Sequence, residues 1–299
     1  MSELTTNFRT LYNEQLQAAK PLFRRLVTTV PSTAVIENYG WLTSLPGMKK
    51  LLGSAVVEKL EASKYSIENF EWEDTISVKE LHIVTDQYGI YSPKFSALGR
   101  VAAYHPDELV AEVMMKGFTE NDYTGTPFFS ENKKRTAKDK APFTNVTNKK
   151  FSVENYEKAL ANMKLRKNSE GRNLGLGANL MLVVTAHDEK LARQILNADL
   201  VNQGESNVLK GSAELMVFSQ LTSFTKNATD APWFLLDLGQ PVGPFIYQYV
   251  REPVLTASDD PKSEHMVMRH EALYQAYGIY NIGYGMCDFA YGSTGTAAA

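Results

Sequence analysis

Histidine and cysteine are the side chains that most often bind metals or act as nucleophiles, and this 299-residue chain has five histidines and one cysteine. The closest two histidines, His265 and His270, are five residues apart in a stretch that we predict to be a strand, so their side chains would point to opposite faces. Cys287 lies among aromatic residues, as a small buried hydrophobe would. This pattern predicts neither a metal site nor a thiol nucleophile.

Two short motifs imitate known catalytic or phosphate-binding sequences. Residues 175–180, GLGANL, resemble the beginning of a dinucleotide-binding loop, but they precede a predicted strand instead of following one, and we interpret them as turn glycines. Residues 130–133, SENK, have the Ser-x-x-Lys spacing of a serine nucleophile, but they lie in a charged polar segment. We therefore predict that the chain is not an enzyme and that it binds no cofactor.

A third candidate is a lysine-rich segment, residues 131–150, in which seven basic residues stand against two acidic ones. A solvated loop or loose hairpin is the simplest interpretation, mobile or at an edge and contributing little to folding. The alternative is a rim loop that contacts an acidic neighbour, or a loop that faces nucleic acid and makes non-specific, salt-sensitive contacts. The candidate contact residues are Lys133, Lys134, Arg135 and Lys138.

Apolar residues at three- and four-residue spacing predict helices in several parts of the chain. Pro21 interrupts the first helix, and Pro106 makes the third either one long kinked helix or two abutting helices. Ser152 is a predicted N-cap. The predicted helices cover residues 4–27, 54–63, about 91–118, 152–165 and 188–200.

Strands are predicted mainly in the second half of the chain, from alternating or continuously apolar runs. A turn at residues 259–264 joins two long β-rich stretches. Helices and strands together predict an α+β fold. The predicted strands and β-rich stretches cover residues 73–78, 180–185, 213–221, 232–238, 244–258 and 265–293.

The composition excludes several classes of protein. Apolar residues make up 43% of the chain, enough for a sizeable core, and the formal charge of −3 is too close to neutral for a histone-like nucleic-acid binder. The N-terminus lacks an apolar signal region, and no run of about 18 apolar residues could span a membrane. A single cysteine forms no internal disulfide, so we expect a protein made and used in a reducing cytoplasm.

Residues 38–53, NYGWLTSLPGMKKLLG, carry much apolar surface that has to be covered. Glycine and proline interrupt the segment too often for one long helix, and it lacks the alternation of a strand. Its own core, a ligand, a membrane or another subunit could cover it. Because exposed apolar segments without a ligand pocket usually mark association surfaces, the residues indicate an oligomeric α+β protein without visible chemistry.

Six segments, taken in order, resemble the major head subunit of Mu-like phages and prophages, from about residue 30 to residue 292. After residues 38–53 come YSIENFEWEDTISV, YGIYSPKFSALGRVAAYHPDELVAEVMMKGF and LGANLMLVVTAHDEKLARQIL. PWFLLDLGQPVGPFIYQYVREPVLTAS and ALYQAYGIYNIGYGMCDFAYGS resemble the closing section of that family. The resemblance implies the Hong Kong 97-like major capsid fold, an α+β fold.

The resemblance also implies how the chain divides. An extended loop, the E-loop, would lie over a neighbouring subunit, and its contact residues would be Tyr39, Trp41, Leu45, Met48 and Leu51. A spine helix at about 91–118 would support the peripheral domain. The implied parts are an N-terminal arm at 1–35, the E-loop at 36–78, the peripheral domain at 79–150, an apical domain at 151–243, and closing strands with a C-terminal tail at 244–299.

The implied function is that of a structural subunit, which assembles through pentamers and hexamers into the icosahedral shell around packaged double-stranded DNA. The implied partners are further copies of the chain, a scaffold or protease, a portal, decoration proteins, and DNA through non-specific contacts, but no membrane. The protein would be made in the bacterial cytoplasm and end in the virion. Two alternatives stay open: an encapsulin-like or other phage-derived compartment of the same fold, and a non-capsid binding or enzymatic protein.

Overall fold

The computed structural model describes residues 2–40, 42, 65–84, 88–137, 139–201, 205–225 and 230–297. The predicted helix at 54–63 lies outside these residues, as do Trp41, Leu45, Met48, Leu51 and Lys138. The helices are α1 Ser2–Ala18, α2 Glu80–Val84, α3 Tyr88–Lys116, α4 Val153–Lys164, α5 Glu189–Asn197 and α6 Glu264–Arg269. The strands are β1 Val27–Pro31, β2 Ile36–Asn38, β3 Ser66–Glu68, β4 Phe70–Lys79, β5 Val146–Lys149, β6 Leu180–Val184, β7 Leu200–Val201, β8 Glu205–Ser206, β9 Glu214–Val217, β10 Trp233–Asp237, β11 Phe245–Ser258, β12 Glu271–Tyr284 and β13 Ala290–Ala297.

Two larger sheets carry the fold. The four-stranded sheet has the order β1-β11-β12-β4, in which the long antiparallel hairpin β11–β12 is central and β1 runs parallel to β11. The five-stranded sheet has the order β5-β13-β10-β6-β9. A 3-10 turn, Cys287–Phe289, separates β12 from β13, so the chain passes from one sheet into the other at this turn.

The long predicted helix is α3, and it continues through Pro106 as one helix. Proline has no N–H to donate and usually disturbs the interior of a helix, so the sequence alone allows either one long kinked helix or two abutting helices. The neighbouring Asp107 is buried, and its carboxylate accepts the backbone N–H groups of Leu22 and Phe23 at 3.2 and 2.7 Å. This side chain satisfies the free donors at the start of the 3-10 turn Phe23–Arg25 and ties that turn to α3.

α1 packs against α3 through aromatic side chains and one glycine. Phe8 stacks on Phe95 with 4.0 Å between ring centroids, and Tyr12 is fully buried. Gly99 allows the close approach of the helices, because a β-carbon there would lie 2.3 Å from the carbonyl oxygen of Tyr12. The predicted N-terminal helix is therefore present, and it ends at Ala18, before the proline that was expected to interrupt it.

The core runs between α3 and the two sheets and continues under α4 and α5. Val110 and Met114 of α3 share one cluster with Phe234 of β10 and Tyr247 of β11. A second cluster joins α4 and α5 to β6 and β10, whose residues are all buried. The predicted N-cap is confirmed, because Ser152 Oγ accepts the N–H of the third residue of α4 at 3.2 Å.

Two of the predicted strands are partly helical. β9 ends at Val217, and a 3-10 turn, Ser219–Phe224, takes the place of the end of the predicted strand. His265 lies in α6 and His270 ends that helix in the left-handed conformation, so the prediction of a strand for these two histidines is wrong. Ser263 starts the helix by accepting the N–H of Met266, a cap that apolar periodicity does not reveal.

Candidate functional site

The segment predicted as the E-loop leaves and re-enters the subunit at one place. β2 and β3 pair antiparallel with Asn38 opposite Ser66, so residues 39–65 begin and end side by side. Tyr65 Oη accepts the N–H of Tyr284 at 2.6 Å. Ile67 is buried against Gly283, where a β-carbon would lie 2.5 Å from the Ile67 Cδ1. The base of the segment is therefore fixed to the four-stranded sheet.

Tyr39, predicted to contact a neighbouring subunit, belongs to the interior of its own subunit. Its side chain is 3% exposed, and its hydroxyl donates to Gln248 Oε1 at 2.8 Å. Gln248 is also buried and donates to the carbonyl of Ile67 at 3.2 Å. Burial raises the pKa of Tyr39 to about 12, and Glu37 acts in the same direction. The prediction is wrong for Tyr39 because its buried hydroxyl finds its partner within the same chain.

Apolar side chains lie on the surface beside this base. Val35, Ile36 and Phe70 are 70%, 50% and 46% exposed. The Val35 carbonyl accepts the N–H of Asn69 at 2.8 Å, which places the Val35 backbone beside the residue that precedes Phe70. Exposed apolar side chains on neighbouring chain segments are typical of an association surface. These three residues were not among the predicted contact residues, although Val35 and Ile36 lie just before the apolar segment at 38–53.

Lys133, predicted as an exposed basic residue, is buried. Its Nζ lies 2.9 Å from Asp122 Oδ2, both side chains are closed off from solvent, and the ammonium group donates to the carbonyl of Pro127 at 2.6 Å. A backbone bridge between Lys133 and Phe143 closes the segment between them. The prediction of a rim or DNA-facing role is therefore wrong for Lys133, since the ion pair and the bridge draw it inward.

Arg135 is internal as well and lies where the two sheets meet. It pairs with Asp139 and with Asp288 of the turn Cys287–Phe289, and its guanidinium carbon lies 4.5 Å from the centroid of the Phe143 ring. Buried charges are costly unless they are paired and hydrogen-bonded, and here each of the two carboxylates contacts the arginine. The expectation of a mobile loop that contributes little to folding is therefore wrong for Arg135, whereas Lys134 is exposed as predicted.

Arg166 completes this buried charge cluster from the turn after α4. Its guanidinium carbon lies 4.6 Å from the centroid of the same Phe143 ring, and Nη1 donates to the carbonyl of Asp288 at 2.7 Å. Burial lowers the pKa of Arg166 to about 10, and the charge of Asp288 acts in the opposite direction. The cluster connects the lysine-rich segment, α4 and the turn between the sheets, and the sequence analysis missed it.

The remaining candidates for chemistry have structural roles. Burial raises the pKa of the Cys287 thiol well above its ordinary value, and the thiol shares a hydrogen bond of 3.2 Å with Tyr123 Oη. Gly175 and Gly177 have φ angles of +68° and +124°, which confirms the interpretation of turn glycines. In the described parts of the chain, no group of three or more His, Cys, Asp or Glu side chains could hold a metal ion. None of the helices in those parts is long and apolar enough to cross a membrane.

The geometry thus offers a fixed loop base, exposed apolar groups beside it and buried charges that stiffen the body, which suits assembly better than catalysis. The same fold occurs in the solved procapsid of bacteriophage JBD30, with a TM-score of 0.59 at 23% identity over 98% of this chain and 74% of that chain. The fold is therefore the predicted Hong Kong 97-like fold of phage major capsid proteins.

The family follows from the sequence along its whole length. Residues 1–152, 144–221 and 219–299 match the family described as Mu-like prophage major head subunit gpT, and the chain belongs to this family. The major capsid protein of Escherichia phage Mu is 26% identical over 287 residues, which are 96% of this chain and 71% of that protein. The Mu-like prophage FluMu major head subunit of Haemophilus influenzae is 23% identical over 297 residues, 99% of this chain and 73% of that protein. The chain is a major head subunit, as the resemblance implied.

Proposed function

We propose that this head subunit joins its neighbours through Trp41 and residues 43–64, which extend from the fixed base at β2 and β3 onto the next copy, whereas Leu42 is buried in its own subunit. The single observation that carries the proposal is the base itself: both ends of the segment are paired, and both are tied to the four-stranded sheet. The segment is rich in apolar side chains, and Val35, Ile36 and Phe70 continue that apolar surface on the body. A contact of this kind is heterologous and can close a ring, and the shell would use rings of five and six copies.

We further propose a division of the chain that modifies the sequence-based one. α3 serves as the spine helix and α1 as an N-terminal arm that docks on the spine helix of its own subunit. The E-loop ends at Glu68 instead of residue 78, because β4 pairs with β12 over its whole length and so belongs to the body. The apical domain is the five-stranded sheet with α4 and α5, and β11 and β12 return to the peripheral domain.

The combined variant Trp41→Ala, Leu45→Ser tests the E-loop contact. A tryptophan at the centre of an interface contributes roughly 2–4 kcal/mol to association, whereas in a core its loss would cost about 3–5 kcal/mol of folding stability. We expect soluble subunits that melt like the parent in circular dichroism but form no shells in sedimentation and electron microscopy. Tyr39→Ala is the matched control, and it should lower the melting temperature because Tyr39 is buried in its own chain.

Two results would count against the proposal. Unfolded protein from the Trp41→Ala, Leu45→Ser variant would place these side chains in the core of the subunit. Normal shells would show that they make no important contact.

Packaged DNA, a scaffold or protease, a portal and decoration proteins are the further partners that we propose, and the virion is the final location. Non-specific contact with DNA would not involve Lys133 or Arg135, because both are buried. An encapsulin-like compartment would use the same fold with different contents. Membership of the head-subunit family favours the phage shell.

A further inference from the structure

The folded lysine-rich segment and the turn after α4 present a group of exposed cations. The N–H of Lys140 donates to the carbonyl of Ser169 at 3.1 Å, and Arg135 donates to the carbonyl of Lys167, so the two segments lie together. Leu165, 70% exposed, stands among these cations. We call this group the basic surface, and its members are Lys134, Lys140, Lys164, Lys167 and Arg172.

The lysines of the basic surface are poorly neutralised within the described part of the subunit. Arg172 Nε lies 3.8 Å from Glu170 Oε2, and Glu131 is a second exposed carboxylate nearby in sequence. The four lysines make no ion pair with any residue in the part of the chain that the structure describes. The basic surface therefore keeps an excess of positive charge that a partner could meet.

A surface of the opposite charge lies on β4, the edge strand of the four-stranded sheet. β4 pairs only with β12 among the described strands, and its exposed carboxylates alternate with side chains that face α3. Phe70 stands at its beginning, 46% exposed, and Arg251 on β11 is the nearby cation, placed over the Tyr277 ring. We call these carboxylates the acidic stripe, and its members are Glu71 and Glu73.

The two surfaces are too far apart to neutralise each other within one copy. Glu73 lies opposite Tyr277 of β12, and the strand continues to Tyr284 before it reaches the turn next to the basic surface. At about 3.4 Å per residue, those seven residues span roughly 24 Å. The attraction between the two surfaces can therefore act only between copies.

We propose that the basic surface of one copy receives the acidic stripe of the next copy, in a contact repeated around each ring of the shell. The inference rests on the proposed function as an assembling head subunit. Because the two surfaces differ, the contact is heterologous and leaves one of each free for the next neighbour until the ring closes. Paired charges of this kind select the partner and fix its register.

A second copy fits the basic surface better than DNA does. A surface that binds a phosphate backbone gains nothing from an exposed apolar residue, yet Leu165 lies among the cations, just as Phe70 lies beside the acidic stripe. An apolar group with charges at its rim is the usual composition of a protein interface. DNA bound at the basic surface would also leave the acidic stripe without a partner.

Charge reversal tests the contact. Lys140→Glu with Lys164→Glu reverses one surface, and Glu71→Lys with Glu73→Lys reverses the other. We expect each double variant to fold normally by circular dichroism and to lose at least about tenfold in shell yield, because like charges would then face each other. The quadruple variant restores complementarity and should restore shells. Lys190→Glu with Lys20→Glu is the control, because it makes the same change in net charge at two exposed lysines that belong to neither surface.

The outcomes separate this contact from its alternatives. Normal shells from either double variant, or no recovery in the quadruple variant, would overturn the proposal. If the quadruple variant melts early, an equimolar mixture of the two folded double variants offers the same complementary pairs and must form oligomers. A loss of nuclease-protected DNA from shells of normal yield would assign the basic surface to DNA instead. If the parent chain forms no shells, the proposed function itself fails, which is a different result.

Discussion

Lys133 and Asp122 form an ion pair that is closed off from solvent, with Nζ and Oδ2 2.9 Å apart and neither side chain exposed. Removing two charges from water is costly, and the cost is offset only by close partners in good geometry. Thr124 donates from its N–H to Asp122 Oδ1 at 2.8 Å, and the Pro127 carbonyl accepts from Lys133, so both ends have further partners. The pair holds a lysine-rich segment against the body of the subunit.

Lys133→Ala should therefore destabilise the subunit strongly. It leaves the Asp122 carboxylate buried without its cation, a change that costs roughly 3–5 kcal/mol of unfolding free energy in comparable cases. Lys134→Ala, next in the chain but exposed, should change stability by no more than about 0.5 kcal/mol. Urea unfolding of the two variants makes the comparison. If both variants lost equally little stability, Lys133 would be an exposed residue, as the sequence predicted, and the buried ion pair would be contradicted.

Gly99→Ala tests the contact between α1 and α3. The new methyl group would lie 2.3 Å from the carbonyl oxygen of Tyr12, so the helices must separate. We expect a loss of about 1–3 kcal/mol, the usual cost of overpacking. Gly89→Ala, in the same helix with no atom within 4 Å of the new group, should be neutral or stabilising by up to about 1 kcal/mol. A neutral Gly99→Ala in thermal melting would contradict the docking of α1 on its own subunit.

Asp188 predicts a specific dependence of stability on pH. Burial raises its pKa from 3.8 to about 6, with His187 acting in the opposite direction, and its Oδ2 is buried without a hydrogen-bond partner. The folded state therefore keeps its proton to higher pH than the unfolded state. Stability from this group is present below about pH 4 and is lost as the pH rises through 6.

Asp188→Asn removes this titration. We expect the variant to match the parent near pH 4 and to melt at a higher temperature above pH 6. Asp199→Asn is the control, because Asp199 is paired with Lys210, its hydrogen bond to that lysine lowers its pKa, and its variant should not gain stability at high pH. A parallel shift of the Asp188→Asn melting curve at every pH would contradict the assignment.

Much of the architecture was predictable because it rests on local signals. The cap at Ser152 and the apolar run of β6 each act within a few residues. The buried roles of Lys133 and Arg135 depend on Asp122 and Asp288, the second of which is 153 residues away from Arg135. The local charges alone predict only a solvated, lysine-rich loop. Long-range pairing decided its placement.

The candidate contact surface was predictable to a smaller degree. The sequence identified residues 38–53 as an apolar segment that has to be buried. Tyr39, at its beginning, is buried within its own subunit and not against a neighbour. Whether a tyrosine next to a strand end faces its own sheet or a neighbour depends on Gln248, more than two hundred residues later. The basic surface likewise forms only when residues 134–140 and 164–172 are brought together.

The central claim is that copies of this chain build a shell, and electron microscopy of the purified full chain, with sedimentation of the same sample, tests it most directly. We predict closed shells, or tubes and rings made from five- and six-membered units. A uniformly monodisperse monomer at every protein concentration would contradict it.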